Sequence, residues 1–233
     1  MRQDQSRVSH MHIVTILSQK GGAGKTTLSL HWAVEAERQG FGPVAIVDID
    51  PQGSARKWAE RRREILKLDS PITIKADEDT LWRNDVTMQD VMMALEAENI
   101  NMVLIDTMPR VEAPCVEAAQ LADFAVIPCG PSILDIEAIG PSIEILESIN
   151  VPGGVIVTQA RPGSSINKVA ASKLDSYGLQ ICPTHIVRRA ALMDSLIEGK
   201  GVQEWRPRDK AAERDISNAW VWIAYQMERL RDG

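Results

Sequence analysis

The chain has 233 residues, 44% of them hydrophobic and 25% charged, so it can bury a sizeable core and is too apolar for a disordered tail. Its net charge of −6 argues against a protein coated in nucleic acid, but the charge is uneven: residues 161–233 carry +3 and residues 1–160 carry −9. Three cysteines (Cys115, Cys129, Cys182), an odd number at no metal-ligand spacing, argue against a disulfide framework, and no apolar run is long enough to span a bilayer or serve as a secretory signal.

Residues 1–11 are mostly polar and read as a flexible N-terminal extension, with a single domain expected over 12–233. A short apolar run at 12–17 ends in a glycine-rich turn, and 25–38 reads as a helix. A buried strand follows at 43–49, then a helix at 54–66 for which Ser54 is the expected cap. Further strands are expected at 72–75, 102–105, 124–127, 155–157 and 181–187. Helices fall at about 88–98, 113–121, 134–149, 165–174, 190–198 and 211–231, and Pro141 predicts a kink or restart within 134–149. Uncharged strands alternating with helices imply an α/β fold with a doubly wound, mostly parallel sheet.

Residues 19–27, Gln-Lys-Gly-Gly-Ala-Gly-Lys-Thr-Thr, carry the chemistry. Backbone N–H groups free of side chains can wrap phosphates at a helix N-terminus. Gly21, Gly22, Ala23 and Gly24 form that loop, Lys25 would reach the β- and γ-phosphates, Thr27 follows, and the Thr26 hydroxyl is placed for Mg2+. The first glycine of the usual phosphate-loop pattern is here Gln19, and a second lysine, Lys20, stands at the start of the loop. Two strands end in carboxylates. Val-Asp-Ile-Asp-Pro-Gln-Gly (47–53) brings Asp48 and Asp50 to the carboxyl edge of a parallel sheet, where ligands bind. Asn-Met-Val-Leu-Ile-Asp-Thr-Met-Pro (101–109) brings Asp106, a carboxylate able to hold Mg2+ through water.

The loop resembles the deviant Walker A of the ParA/MinD ATPases. The Asp-Ile-Asp-Pro-Gln stretch, Ile127-Pro-Cys-Gly-Pro-Ser-Ile-Leu-Asp135 and the region 190–205 are similar to later motifs of the same family, closest to short ParA proteins without an N-terminal helix-turn-helix. The family usually has two prolines after the Asp-Thr of the Walker B strand, and Met108 replaces the first. The resemblance implies an ATPase using ATP and Mg2+ that closes into a homodimer, with Lys20 crossing to the partner's nucleotide. It assigns Lys20, Lys25 and Asp50 to catalysis, Asp50 orienting the attacking water. It assigns Thr26, Asp48 and Asp106 to Mg2+, and by analogy puts adenine contacts near Thr158 and Pro183.

A short ParA protein binds DNA without sequence preference and answers to a ParB-like centromere-binding or adaptor protein, which would make this chain cytoplasmic and nucleoid-associated. Arg188, Arg189, Lys200, Arg206, Arg208, Lys210 and Arg214 are the candidate DNA contacts, with a solvated charged face as the plainer reading. Positioning of a protein cargo, such as a chemoreceptor cluster or carboxysome, is the alternative to plasmid or chromosome partition. A MinD-like membrane switch would need the 216–230 stripe (Ile216, Ala219, Trp220, Ile223, Ala224, Met227, Leu230) to enter lipid, although such a stripe more often packs in a core. An iron–sulfur reductase of this fold is disfavoured because Cys115 and Cys129 both follow Asp106, and a tyrosine kinase because only Tyr177 and Tyr225 are present.

Overall fold

Alternate residues of each apolar run face opposite sides of one sheet, and helices close both sides. In the computed structural model the described residues are 10–83, 85–110, 112–161 and 168–232. Their elements in chain order are β1 (His12–Ile16), α1 (Lys25–Arg38), β2 (Val44–Asp48), α2 (Ser54–Leu66), β3 (Ile72–Lys75), α3 (Glu78–Arg83) and α4 (Met88–Ala97). Next come β4 (Met102–Asp106), α5 (Ala113–Gln120), β5 (Phe124–Cys129), α6 (Ile133–Glu137), α7 (Gly140–Ile149) and β6 (Gly153–Val157). The chain ends with α8 (Lys168–Asp175), β7 (Gln180–Ile181), α9 (Ala190–Ile197), a 3-10 turn (Val202–Glu204) and α10 (Lys210–Asp232). Residues 1–9 of the expected extension, and 165–167 of the expected helix over 165–174, lie outside the described residues.

The seven strands pair in the order β3-β2-β4-β1-β5-β6-β7, every pairing parallel. One apolar cluster gathers Val14, Ile16, Ile46 and Leu104 with Trp32 of α1, Trp58 of α2 and Trp220 of α10. The other gathers their strand neighbours Ala45, Val47, Val103 and Ile105 with Met92 of α4, Cys115 of α5, Ile143 of α7 and Leu174 of α8. The period-two split of β2 and β4 between the clusters is what a sheet buried on both faces requires. Six of the seven stripe residues of α10 are buried and belong to the first cluster; Leu230 is exposed. The stripe is therefore core, and no helix among the described residues is long and apolar enough to cross a membrane.

The structure corrects several expectations. Ser54 is the first residue of α2 rather than its cap; Gly53, at φ 60°, holds that position. The carboxylate of Asp48 does the capping work, Oδ2 accepting the N–H groups of Ala55 (3.0 Å) and Arg56 (3.3 Å). The strand expected over 181–187 stops at Ile181: Cys182 N–H still donates to the Val155 carbonyl, but the next bond to β6 skips residue 184 and comes from Ile186 to the Val157 carbonyl, followed by the Ala160–Val187 bridge. The polar stretch before residue 88 contains the short α3. The helix over 134–149 does restart, with Pro141 in the first turn of α7. Strand β6 begins two residues earlier than expected, at Gly153 and Gly154. A Cβ on Gly154 would lie 2.5 Å from Cη2 of Trp222, so this strand accepts glycine because an indole packs on its backbone.

A candidate nucleotide site at the carboxyl edge of the sheet

The loop between β1 and α1 sits where the central strand ends. Gly24 adopts φ 98°, a left-handed conformation that a glycine adopts without strain, and caps α1 so that the helix N-terminus faces a cavity of about 460 Å³. Gly21, Gly22, Ala23, Gly24, Lys25, Thr26 and Thr27 all line this cavity. A Cβ built on Gly21 or Gly22 would meet open space, so the backbone there is bare toward the cavity. The loop is braced from β6: Thr158 Oγ1 lies 2.9 Å from the Ala23 carbonyl and 3.1 Å from the Cys129 carbonyl, and Gln159 donates to the Gly22 carbonyl.

Both lysines are turned onto the protein's own groups. Lys25 is buried, and its Nζ donates to the carbonyls of Ser18 (3.0 Å) and Lys20 (3.4 Å). Burial lowers its pKa, with the charges of Asp106 and Asp50 acting in the opposite direction. Lys20 is exposed and forms an ion pair with Asp135 of α6, whose other oxygen accepts from the Ser132 hydroxyl at 2.6 Å in a capping box. In the sequence Asp135 stands only as the end of a family-like motif, with no role attached to it.

The carboxylates differ in their surroundings. Asp48 is fully buried and accepts three backbone N–H groups, those of Asp50 (3.1 Å), Ala55 and Arg56. It thereby fixes the turn that carries Asp50, which lines the cavity. Asp106 is also fully buried, and burial pushes its pKa up to about 7. The negative charge of Asp48 adds to that rise, while Thr26, Lys25 and Ser29 oppose it. Ser29 Oγ lies 3.0 Å from the Lys25 carbonyl and 3.3 Å from Asp106 Oδ1, its one proton shared between them. Asp106 Oδ2 has no hydrogen-bond partner among the described residues. A buried, unpartnered carboxylate oxygen beside a second carboxylate, next to a bare backbone cradle, suits a phosphate-bound cation.

Other sequence candidates are dispersed. Thr158 lines the cavity, but Pro183 is not among its lining residues. The far wall comes from Ile186, Val187, Arg188, Arg189, Leu192 and Met193, so two candidate DNA contacts stand at the cavity instead. Arg189 also faces Asp215 at 3.7 Å. Lys200 pairs with Glu198 at 2.7 Å and lies over Trp205, while Arg208 pairs with Glu213. Arg206, Arg208, Lys210 and Arg214 are exposed around the start of α10. Reasoning from sequence missed Ser18, Ser29 and the α9 wall. Ser29, one helical turn beyond Lys25, was the findable member, since a polar residue on a buried helix face needs a partner.

A bare glycine loop at a helix N-terminus, at the carboxyl edge of a parallel sheet with carboxylates from β2 and β4 beside it, defines a P-loop nucleotide-binding domain. The chain belongs to the CobQ/CobB/MinD/ParA nucleotide binding domain family, which matches residues 14–202. ParA/MinD proteins are ATPases, and the sequence resemblance is borne out at this level. The maintenance of carboxysome distribution protein A of Gloeobacter kilaueensis is 29% identical over 228 residues, spanning 95% of this chain and 96% of that protein. Protein ParA of Rhizobium radiobacter is 25% identical over 232 residues, spanning 95% and 99%. The ATP complex of a Cyanothece McdA variant shares the fold with a TM-score of 0.69 at 18% identity, covering 94% of this chain and 97% of that one.

Proposed function

We propose that the chain is an ATP-driven positioning ATPase: it binds ATP and Mg2+, closes into a homodimer, holds DNA without sequence preference, and lets go after hydrolysis stimulated by a partner protein. The observation that carries this reading is the unpartnered, buried Asp106 Oδ2, on a carboxylate beside Thr26, Lys25 and Ser29 of the helix that the bare glycine loop opens. In the proposed cycle Lys25 leaves the Ser18 and Lys20 carbonyls for phosphate oxygens. Thr26 and Asp106 would hold the cation, and Asp48 would act on it through charge while its oxygens hold the turn of Asp50. A bound Mg2+ would neutralise charge on the β- and γ-phosphate oxygens. Asp50 orients water for attack, and Lys20 exchanges Asp135 for the partner's nucleotide.

Four exposed cations per subunit, Arg206, Arg208, Lys210 and Arg214, give a dimer eight phosphate contacts if all engage. Counterion release then makes log affinity fall with log salt with a slope of about −7. Likeness to a carboxysome distribution protein favours a protein assembly as the cargo, and likeness to ParA supports DNA partition with a ParB-like partner as the second reading. The test is binding to a random-sequence duplex at one stated salt with no nucleotide, ADP or ATP–Mg2+. Binding confined to ATP–Mg2+ and weakened by salt supports the switch; equal or absent binding in all three states removes DNA from it. Deleting the gene separates the cargoes, by plasmid loss or by clumping of a protein assembly.

A further inference from the structure

We propose that His10, His12 and Asp123 form a binding site for one divalent transition-metal ion, Zn2+ foremost, at the end of the sheet opposite the nucleotide. The side chains come from two distant stretches of chain: His12 opens β1, His10 precedes it, and Asp123 precedes β5. One ligand atom from each lies within 4.8 Å of the other two. His10 Nε2 is 3.2 Å from Asp123 Oδ1, and His12 Nδ1 is 3.9 Å from Asp123 Oδ2. Tetrahedral Zn2+ with bonds of about 2.0–2.1 Å sets its ligand atoms roughly 3.3 Å apart, so small rotations of the histidines would close the site. The rings already stand edge to face at 5.6 Å.

The carboxylate is held in place for this role. Asp123 Oδ2 accepts the Ile13 N–H at 2.8 Å, and the Asp123 N–H donates to the Ile13 carbonyl at 2.8 Å. Asp123 is thereby fixed to the backbone of β1 one residue from His12, with its Oδ1 left toward His10. Imidazole coordinates a metal in its neutral form, and His12 and His10 offer one ring nitrogen each to the site. Two imidazoles and one carboxylate suit Zn2+, Co2+ or Ni2+ and not Mg2+, which prefers oxygen ligands, so this site and the nucleotide site do not compete for one ion. The remaining coordination positions are open to water.

The test uses the full chain, stripped with a chelator and kept in excess Mg2+, titrated with Zn2+ by calorimetry and with Co2+ by visible absorption. The expected result is one equivalent bound, four-coordinate Co2+ bands, and affinity reduced by at least roughly tenfold in His10→Ala and in His12→Ala. With Zn2+ at about 100 times its Kd, the folded-to-unfolded ratio rises about 100-fold and Tm by roughly 5–10 °C. His10 is exposed, so its variant should fold normally and keep the comparison clean. Unchanged Zn2+ affinity in both variants, or no stoichiometric binding by the parent chain, overturns the proposal.

Discussion

His31 is the residue to perturb first, because it joins the two walls of the nucleotide cavity. It lies on α1 under two turns beyond Lys25, fully buried. Its Nδ1 accepts the Val202 N–H at 3.1 Å and its Nε2 faces the Leu192 carbonyl at 2.9 Å. A backbone donor on Nδ1 fixes the proton on Nε2, so the ring is the neutral tautomer and has no room for a second proton. Burial lowers its pKa from 6.5 to about 4, with the Leu192 carbonyl and Glu204 opposing. Because the unfolded ring takes up a proton in that interval and the folded ring does not, stability is full above the unfolded value and is lost as pH falls. Between about pH 7 and about pH 5 the loss is about 2 kcal/mol, reaching about 3 kcal/mol once pH is below the folded value. Asp106 titrates in the opposite sense over the same interval, its raised pKa making the folded chain bind more protons as pH falls. The wild-type slope alone therefore reports neither group. The measurement is urea unfolding at about pH 7 and about pH 5 for wild type and His31→Gln. The variant should be less stable at the higher pH, and the wild type should lose about 2 kcal/mol more than the variant on acidification. Equal losses in the two proteins refute the reasoning.

Replacing Asp106 by Asn should stabilise the nucleotide-free chain by about 2–4 kcal/mol, since a carboxylate whose pKa is raised from 3.8 to about 7 is costly to bury, and urea midpoints without nucleotide will show it. The same variant should lose Mg2+-dependent ATP binding, and a less stable variant contradicts the account. Gly154→Ala places a methyl 2.5 Å from Trp222 and 2.8 Å from the Gln180 carbonyl, so it should cost about 2 kcal/mol or more in thermal or urea unfolding. In size-exclusion chromatography with ATP–Mg2+, Lys20→Ala should retain nucleotide binding and stay monomeric; an unchanged dimer removes the proposed trans role. Asp50→Ala should bind ATP, dimerise and turn over at least about tenfold more slowly, measured as phosphate release.

The parallel sheet was legible because Val44–Asp48 and Met102–Asp106 are uncharged until their last residue, and only a sheet covered on both faces accepts such runs. The phosphate loop was legible because glycines, lysine and threonine must be consecutive to work. What the sequence hid depends on contacts between distant segments. The role of Asp48 as the cap of α2 required knowing that the turn folds back on its own strand. The α9 wall of the cavity could not be read from Ala190–Ile197, where Leu192 and Met193 look like any apolar helix residues. The start of strand β6 is hidden because its two glycines weaken a strand pattern, and the reason for Gly154, the ring of Trp222, lies on α10. Analogy points Thr158 at adenine, whereas its hydroxyl reaches the Ala23 and Cys129 carbonyls, partners that come from two other segments of the chain.

The magnitudes also decide what drives closure in the proposed cycle. The Lys20–Asp135 pair is partly exposed, with 44% of the lysine side chain accessible, and an exposed ion pair is worth about 0–1 kcal/mol. So weak a contact can be exchanged for a phosphate on a partner subunit without a large barrier, and it cannot by itself hold the chain open. Asp106 weighs more heavily: its charge is buried, opposed by Asp48, and lacks a partner on one oxygen. In the proposed cycle the gain from a cation arriving with phosphates would fall on Asp106, so nucleotide binding would be favoured before any second subunit is present. Lys20 would then act after binding, its exchange of partners linking the order of the steps to the number of subunits.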